Sequence, residues 1–160
     1  MTPTETWLSG FIFILVALVA LPTFSKGLAC SDDILPHLYR SVQFDLNVRH
    51  GRPFLQWGQE LMRGYGYPIF AFYAPLSYIL IELIHFLGPE LGTIYQWGFW
   101  AVLPFAGWGA YRWGRRYFQP LGAFVTGVAY MFAPYLLYNT IQRGAFPESL
   151  AMALFPWAMF

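Results

Sequence analysis

Charge is scarce in this chain. Asp, Glu, Lys and Arg together make up 11% of its 160 residues, against about 25% in soluble domains. So little charge argues against an ordinary water-soluble globule, whose surface must be solvated. Cysteine is nearly absent too. The single Cys30 excludes an intrachain disulfide and says little about redox compartment. The formal net charge of +1 gives no argument for a nucleic-acid partner. Residues 1–6 lack the basic head of a secretory signal. The tetrapeptide Gly27-Leu-Ala-Cys30 loosely resembles a lipoprotein cleavage site, but Gly27 stands where a large aliphatic is expected and Lys26 interrupts the approach.

What is present is apolar and aromatic. Hydrophobic residues reach 58% and aromatics 21%, and the mean hydropathy is +0.45. These values predict an integral membrane protein, with Trp and Tyr near the ends of apolar runs where amphipathic rings settle at headgroup depth. Residues 7–24 carry no charge and read as an uncleaved first transmembrane helix, close to the roughly 20 residues a span requires.

A long polar connection follows over about 25–67, with no apolar run of span length. Its first half predicts a helix: Asp33 is placed to act as N-cap, and Pro36 falls in the first turn, where its missing N–H costs nothing. At 100° per residue, Leu35, Leu38, Val42 and Leu46 share one face, and Asp33, His37, Arg40 and Asn47 share the opposite one. Such a helix lies on a membrane or on other helices, leaving its polar face to line a site. Gly51-Arg52-Pro53 ends it, and residues 54–62 predict a second short amphipathic turn before Gly64-Tyr65-Gly66-Tyr67-Pro68.

Apolar stretches then occupy about 68–87, 91–111 and 120–141, and another begins at about 148. The fold expected is all-α, a polytopic transmembrane helical bundle with amphipathic surface helices in its first loop. Because the last stretch stops at residue 160, the chain reads as the N-terminal part of a larger membrane domain. Arg112, Arg115 and Arg116 form the densest basic cluster and predict a cytoplasmic loop. Either the N-terminus is external, or, with a cytoplasmic N-terminus, one stretch must fail to cross. The candidate is 68–87, opened by Pro68, broken by Pro75 and carrying Glu82 and His85.

Several residues carry chemistry. Asp32, Asp33 and His37 are candidates for proton transfer, and Asp33 with His37, one helical turn apart, for a divalent metal ion. The duller reading is an N-cap with solvated charges. Arg143 and Glu148 flank Gly144-Ala145-Phe146-Pro147, where Glu148 also suits the first turn of a helix. Glu82 and His85 have the Glu-x-x-His spacing of some metal sites, or snorkel to an interface. Gly107, Gly109, Gly122 and Gly127 read as helix-packing positions.

In order, Asp32-Asp33-Ile-Leu-Pro-His37-Leu-Tyr-Arg40, Gly51-Arg-Pro, Gly64-Tyr-Gly-Tyr-Pro68-Ile-Phe-Ala-Phe-Tyr73-Ala-Pro75-Leu-Ser-Tyr78, Ala133-Pro134-Tyr135 and Arg143-Gly-Ala-Phe-Pro-Glu148 resemble the start of a bacterial family. These are the membrane proteins labelled "6-pyruvoyl-tetrahydropterin synthase-related", and the resemblance covers most of residues 30–156. They in turn are similar to the polytopic GT-C glycosyltransferases, including the protein O-mannosyltransferases. The pterin label does not read as an activity, since the three histidines lie scattered at 37, 50 and 85.

The resemblance implies an enzyme of the cell envelope, in the bacterial inner (plasma) membrane. It would move a sugar from a polyprenyl-phosphate-linked donor to an acceptor glycan, lipid or protein on the outer side. It implies that Asp32 or Asp33 is the acid of the first external loop, acting as general base or metal ligand. Arg143 would pair with the donor phosphate, Glu148 would be the acid of the second external loop, and His37 and Arg40 would add substrate contacts. The mannosyltransferases usually present Asp-Glu where this chain has Asp32-Asp33, which leaves the choice of catalytic acid open. Two rival readings remain: a non-enzymatic membrane protein that binds or moves lipid-linked glycans, and a structural membrane protein.

Overall fold

The computed structural model describes residues 5, 7, 9–11, 13–15, 18, 31–52 and 56–160. The described residues are mostly helical, and among them there is no strand, only an isolated antiparallel bridge between Gly58 and Tyr67. The all-α expectation holds at that level. The expected span at 7–24 lies largely outside the described residues; those of it that are described, Phe11 and Phe13 among them, are helical.

In chain order the elements are α1 (Ile34–Arg49), α2 (Ile69–Phe72), α3 (Leu76–His85), α4 (Leu91–Gly114), α5 (Pro120–Met131), α6 (Pro134–Leu137), a π-helical turn (Tyr138–Arg143) and α7 (Phe146–Met159). Prolines set several of the starts. Pro120, Pro134 and Pro147 sit in the first turns of α5, α6 and α7, where an N–H has no intrahelical partner in any case.

The centre of the bundle is α4. Near its start, Tyr95 and Phe99 meet Phe146 edge-on at 5.4 and 5.3 Å between ring centroids, and further along Phe105 stacks on Trp157 at 5.0 Å. Helices α4 and α7 therefore run parallel. Helix α5 runs back against them: a Cβ on Gly107 would meet Met131, and one on Gly114 would meet Thr126. A Cβ on Gly127 would stand 2.8 Å from the Gly107 carbonyl, so these two glycines are where the α4 and α5 backbones touch. The buried Phe13 ring packs into the same junction, against Tyr111 and Phe124.

This arrangement gives the bundle two ends. At one end lie the starts of α4 and α7 and the end of the π-helical turn. At the other, Arg112 and Arg116 lie over the Phe160 ring at 4.7 and 4.6 Å. The 14 residues of α7 separate the ends by about 21 Å.

Helix α1 caps the first end, and the face it covers is mixed: Ile34 and Phe44 are buried and Leu38 packs on the core. Leu35 and Val42 of the expected docking stripe are 58% and 46% exposed. The bundle also covers much of the polar side: His37, Ser41, Gln43 and Asn47 are all buried. The physical reason is that each finds a partner. His37 Nδ1 lies 3.0 Å from the Tyr78 hydroxyl, Ser41 Oγ lies 2.8 Å from that of Tyr95, and Tyr95 also donates to the His37 carbonyl at 3.2 Å. Gln43 donates to Asn47 at 3.0 Å and accepts the Glu60 N–H at 2.7 Å, which pins the loop after α1. Buried polar groups so paired are stable where unpaired ones cost about 1–3 kcal/mol each. Beyond α1, residues 59–65 form turns where a second short amphipathic turn is expected over 54–62, and residues 53–55 lie outside the described set.

Among the described residues no single helix is long and apolar enough to cross a membrane. One bent pair, Pro120–Met131 with Pro134–Arg143, meets length and composition together across a 41° break. The apolar stretches divide as follows, with 68–87 broken at Pro75 as its sequence suggests. The stretch 68–87 is divided by Tyr73, Ala74 and Pro75 into α2 and α3. The stretch 91–111 is one helix of 24 residues, whose glycines, tryptophans and tyrosines hold its hydropathy down. The stretch 120–141 breaks before Pro134, and the element expected from 148 begins at Phe146.

Candidate functional site

Two loops meet at the α1 end of the bundle. The Asp33 N–H donates to the Arg143 carbonyl at 2.9 Å, which holds residues 31–34 against residues 143–144. The contact is close because residue 144 is glycine. Its φ is +71°, and a Cβ there would land on Ser31 Oγ and stand 3.3 Å from Ile34 Cβ.

Across this junction the Arg143 guanidinium spreads over three acceptors. Its Nε donates to Asp33 Oδ2 at 2.7 Å, and its Nη1 donates to Glu148 Oε2 at 2.7 Å and to Asn139 Oδ1 at 3.3 Å. Glu148 Oε1 in turn accepts from the Tyr135 hydroxyl at 2.6 Å. The three charged side chains are 35–39% exposed, so solvent screens each ion pair and leaves it worth little by itself. The geometric consequence is larger than the energetic one. Nε and Nη1 are thereby engaged, while Nη2 forms no hydrogen bond among the described residues.

Local sequence builds this cluster. The Tyr138–Arg143 turn is π-helical, with Thr140 donating to the Leu136 carbonyl at 2.6 Å. Single π turns inside α-helices recur at functional sites. Here the wide turn places Arg143 just before the left-handed Gly144, and α7 then starts with Glu148 in its first turn, near the positive end of the helix dipole.

The site residues read from sequence divide into two groups. Asp33, Arg143 and Glu148 come together. Asp32 is exposed and pairs with none of the described residues. His37 and Arg40 belong to a neighbouring aromatic patch: His37 is buried against Tyr78, and the Arg40 guanidinium lies 4.3 Å over the Tyr73 ring. The N-cap reading of Asp33 is corrected, since Asp33 occupies that position but makes no side-chain cap bond; its carboxylate is turned to Arg143 instead. The metal pair Asp33 and His37 does not gain a third ligand: among the described residues no three His, Cys, Asp or Glu gather to hold an ion, and Asp33 and His37 face Arg143 and Tyr78 respectively. At Glu-x-x-His, Glu82 is buried and His85 Nδ1 lies 2.8 Å from the Pro89 carbonyl.

Sequence reasoning missed Asn139 and Tyr135. Asn139 precedes Arg143 by four residues, a spacing that would have found it. Tyr135 lies thirteen residues before Glu148, and no local period links them.

The His37 imidazole is driven down from 6.5 to about 4, first by burial and next by the Arg40 charge, with Asp33 opposing and Arg143 adding. Folded His37 is therefore neutral at pH 7. As pH falls below the unfolded value near 6.5, the unfolded chain takes up a proton the folded chain does not. Stability should then decline until the folded imidazole titrates near 4, a loss of roughly 2–3 kcal/mol by pH 4.5. Denaturant unfolding in detergent at pH 7.5 and 4.5 checks this, and His37→Gln should flatten the difference.

Compared with protein-family models, curated proteins and solved structures, the chain matches none.

Proposed function

We propose that this is a membrane glycosyltransferase-like protein that moves a sugar from a polyprenyl-phosphate-linked donor to an acceptor hydroxyl at the outer face of the bacterial inner membrane. The observation that carries the reading is the part-exposed Arg143 guanidinium, oriented by Asp33, Glu148 and Asn139 beside the exposed Asp32.

Membrane placement has its own support. Helix α1 turns Leu35, Tyr39 and Val42 outward, an apolar exposure that suits lipid better than water. Apolar exposure continues over Leu80, Leu83, Ile84, Phe86 and Leu87 of α3 and the turn after it, more than a soluble monomer usually shows in one region. Arg112 and Arg116 at the far end of α7 suit the cytoplasmic face. The proposed site then faces outward.

In the reaction, a phosphate oxygen of the donor accepts from Arg143 Nη2. An acceptor hydroxyl gives its proton to the Asp32 carboxylate as its oxygen attacks the anomeric carbon. The bond between that carbon and the phosphate oxygen breaks, and the electron pair leaves on the polyprenyl phosphate, where the guanidinium meets the growing charge. Asp33 positions Arg143 and takes no proton. A second reading, binding of a lipid-linked glycan without transfer, is favoured by the same clamp, since two carboxylates already hold the guanidinium.

The test is the full chain reconstituted in liposomes with a panel of polyprenyl-phosphate sugars and mixed hydroxyl acceptors. Transfer from one donor with release of polyprenyl phosphate is the expected result. Donor binding with no transfer from any member of the panel would favour the second reading.

A further inference from the structure

A separate groove of about 490 Å³ lies between α1 and the turns at 60–67, and none of Asp33, Arg143 and Glu148 lines it. Its apolar wall is Leu61, Met62 and Ile69, and its charged groups are Arg40, Arg63 and Glu60. No carboxylate among the described residues forms an ion pair with Arg40 or Arg63. Arg40 is instead stacked on Tyr73, which fixes its plane at the edge of the groove. Met62 and Arg63 both take left-handed backbone, with φ of 53° and 59°, a conformation that costs a non-glycine residue about 1–2 kcal/mol.

The turns that impose this strain are well braced. Gly58 and Tyr67 exchange backbone bonds of 2.8 and 3.0 Å, Gly66 donates to the Leu61 carbonyl at 3.0 Å, and Gln43 holds Glu60. The groove also opens onto the outward apolar stripe of α1. Tyr39 belongs to both, with Leu35 and Val42 four residues before it and three after.

We propose that this groove binds an anionic phospholipid of the surrounding bilayer. Its headgroup phosphate would lie between Arg40 and Arg63, and an acyl chain would run along Leu61, Met62 and the Leu35–Tyr39–Val42 stripe. One net positive charge at the mouth of an apolar channel suits a phosphodiester joined to hydrocarbon better than a free phosphate or a neutral lipid. The proposal rests on the membrane placement argued above but not on sugar transfer.

Native mass spectrometry of the full chain, released from liposomes of equal phosphatidylglycerol and phosphatidylcholine, tests it. Retention of phosphatidylglycerol over phosphatidylcholine by about tenfold is expected, and Arg63→Gln, on an exposed turn, should reduce that preference about fivefold. Arg40→Gln should do the same, whereas Arg49→Gln, whose arginine is exposed and already paired with Asp45, should leave it unchanged. Equal retention of the two lipids, a preference untouched by Arg63→Gln, or displacement of the lipid by millimolar inorganic phosphate would each overturn the proposal. A chain that does not enter liposomes at all would defeat the membrane placement as well.

Discussion

Asp32→Asn is expected to lower sugar transfer about 100-fold or more, the usual contribution of a positioned general base, while leaving stability and donor binding within about twofold. The motivation is the unequal use of the two neighbouring acids. Asp33 is committed to Arg143 through its carboxylate and its N–H, whereas Asp32 is exposed and pairs with none of the described residues. An isosteric amide at position 32 removes a proton acceptor and little else. Asp33→Asn should behave differently. It weakens the clamp that orients Arg143, so its effect should fall mainly on the KM for the donor, with a smaller change in kcat. Initial rates over a range of donor concentrations separate the two patterns, and a pure KM effect for Asp32→Asn would reverse the assignment.

Gly144→Ala is expected to destabilise the protein by at least about 2 kcal/mol and to abolish donor binding. Placing an alanine at φ +71° costs about 1–2 kcal/mol for conformation alone. The added Cβ also falls on Ser31 Oγ, so residues 31–34 must move away from residue 144. That movement pulls the Asp33 N–H off the Arg143 carbonyl and opens the ion pair behind it. Gly64→Ala supplies the comparison, because Gly64 has φ +86° with nothing near its would-be Cβ; it should show the conformational cost without loss of binding. Ser31→Gly in the Gly144→Ala background should recover part of the difference. Denaturant unfolding together with donor binding reads both effects.

The helical class was legible because composition and apolar run lengths point to helices and nothing in the chain alternates with period two. The faces of α1 were legible as two stripes but not as inside and outside. Periodicity separates Leu35 and Val42 from His37 and Asn47, yet which side is covered depends on Tyr78, Tyr95 and Glu60, which lie far along the chain and supply the hydrogen bonds. The broken stretches were partly visible through Pro75 and Pro134, whereas the π-helical turn at Tyr138–Arg143 left no mark that local propensity registers. At the site, the charges of Asp33, Arg143 and Glu148 drew attention because ionisable groups are few in this chain. Their division of labour was hidden, since whether Asp33 caps α1 or holds Arg143 is decided by a loop 110 residues away.

Binding of a sugar-free polyprenyl monophosphate to the full chain in nanodiscs tests the central claim most directly. The carrier phosphate should bind saturably, and Arg143→Gln should weaken binding about tenfold or more, through loss of a charge-assisted contact. Asp32→Asn and Arg63→Gln should bind as the parent does. A parent chain that does not bind the carrier, or an Arg143→Gln variant that binds it as tightly, would contradict the account.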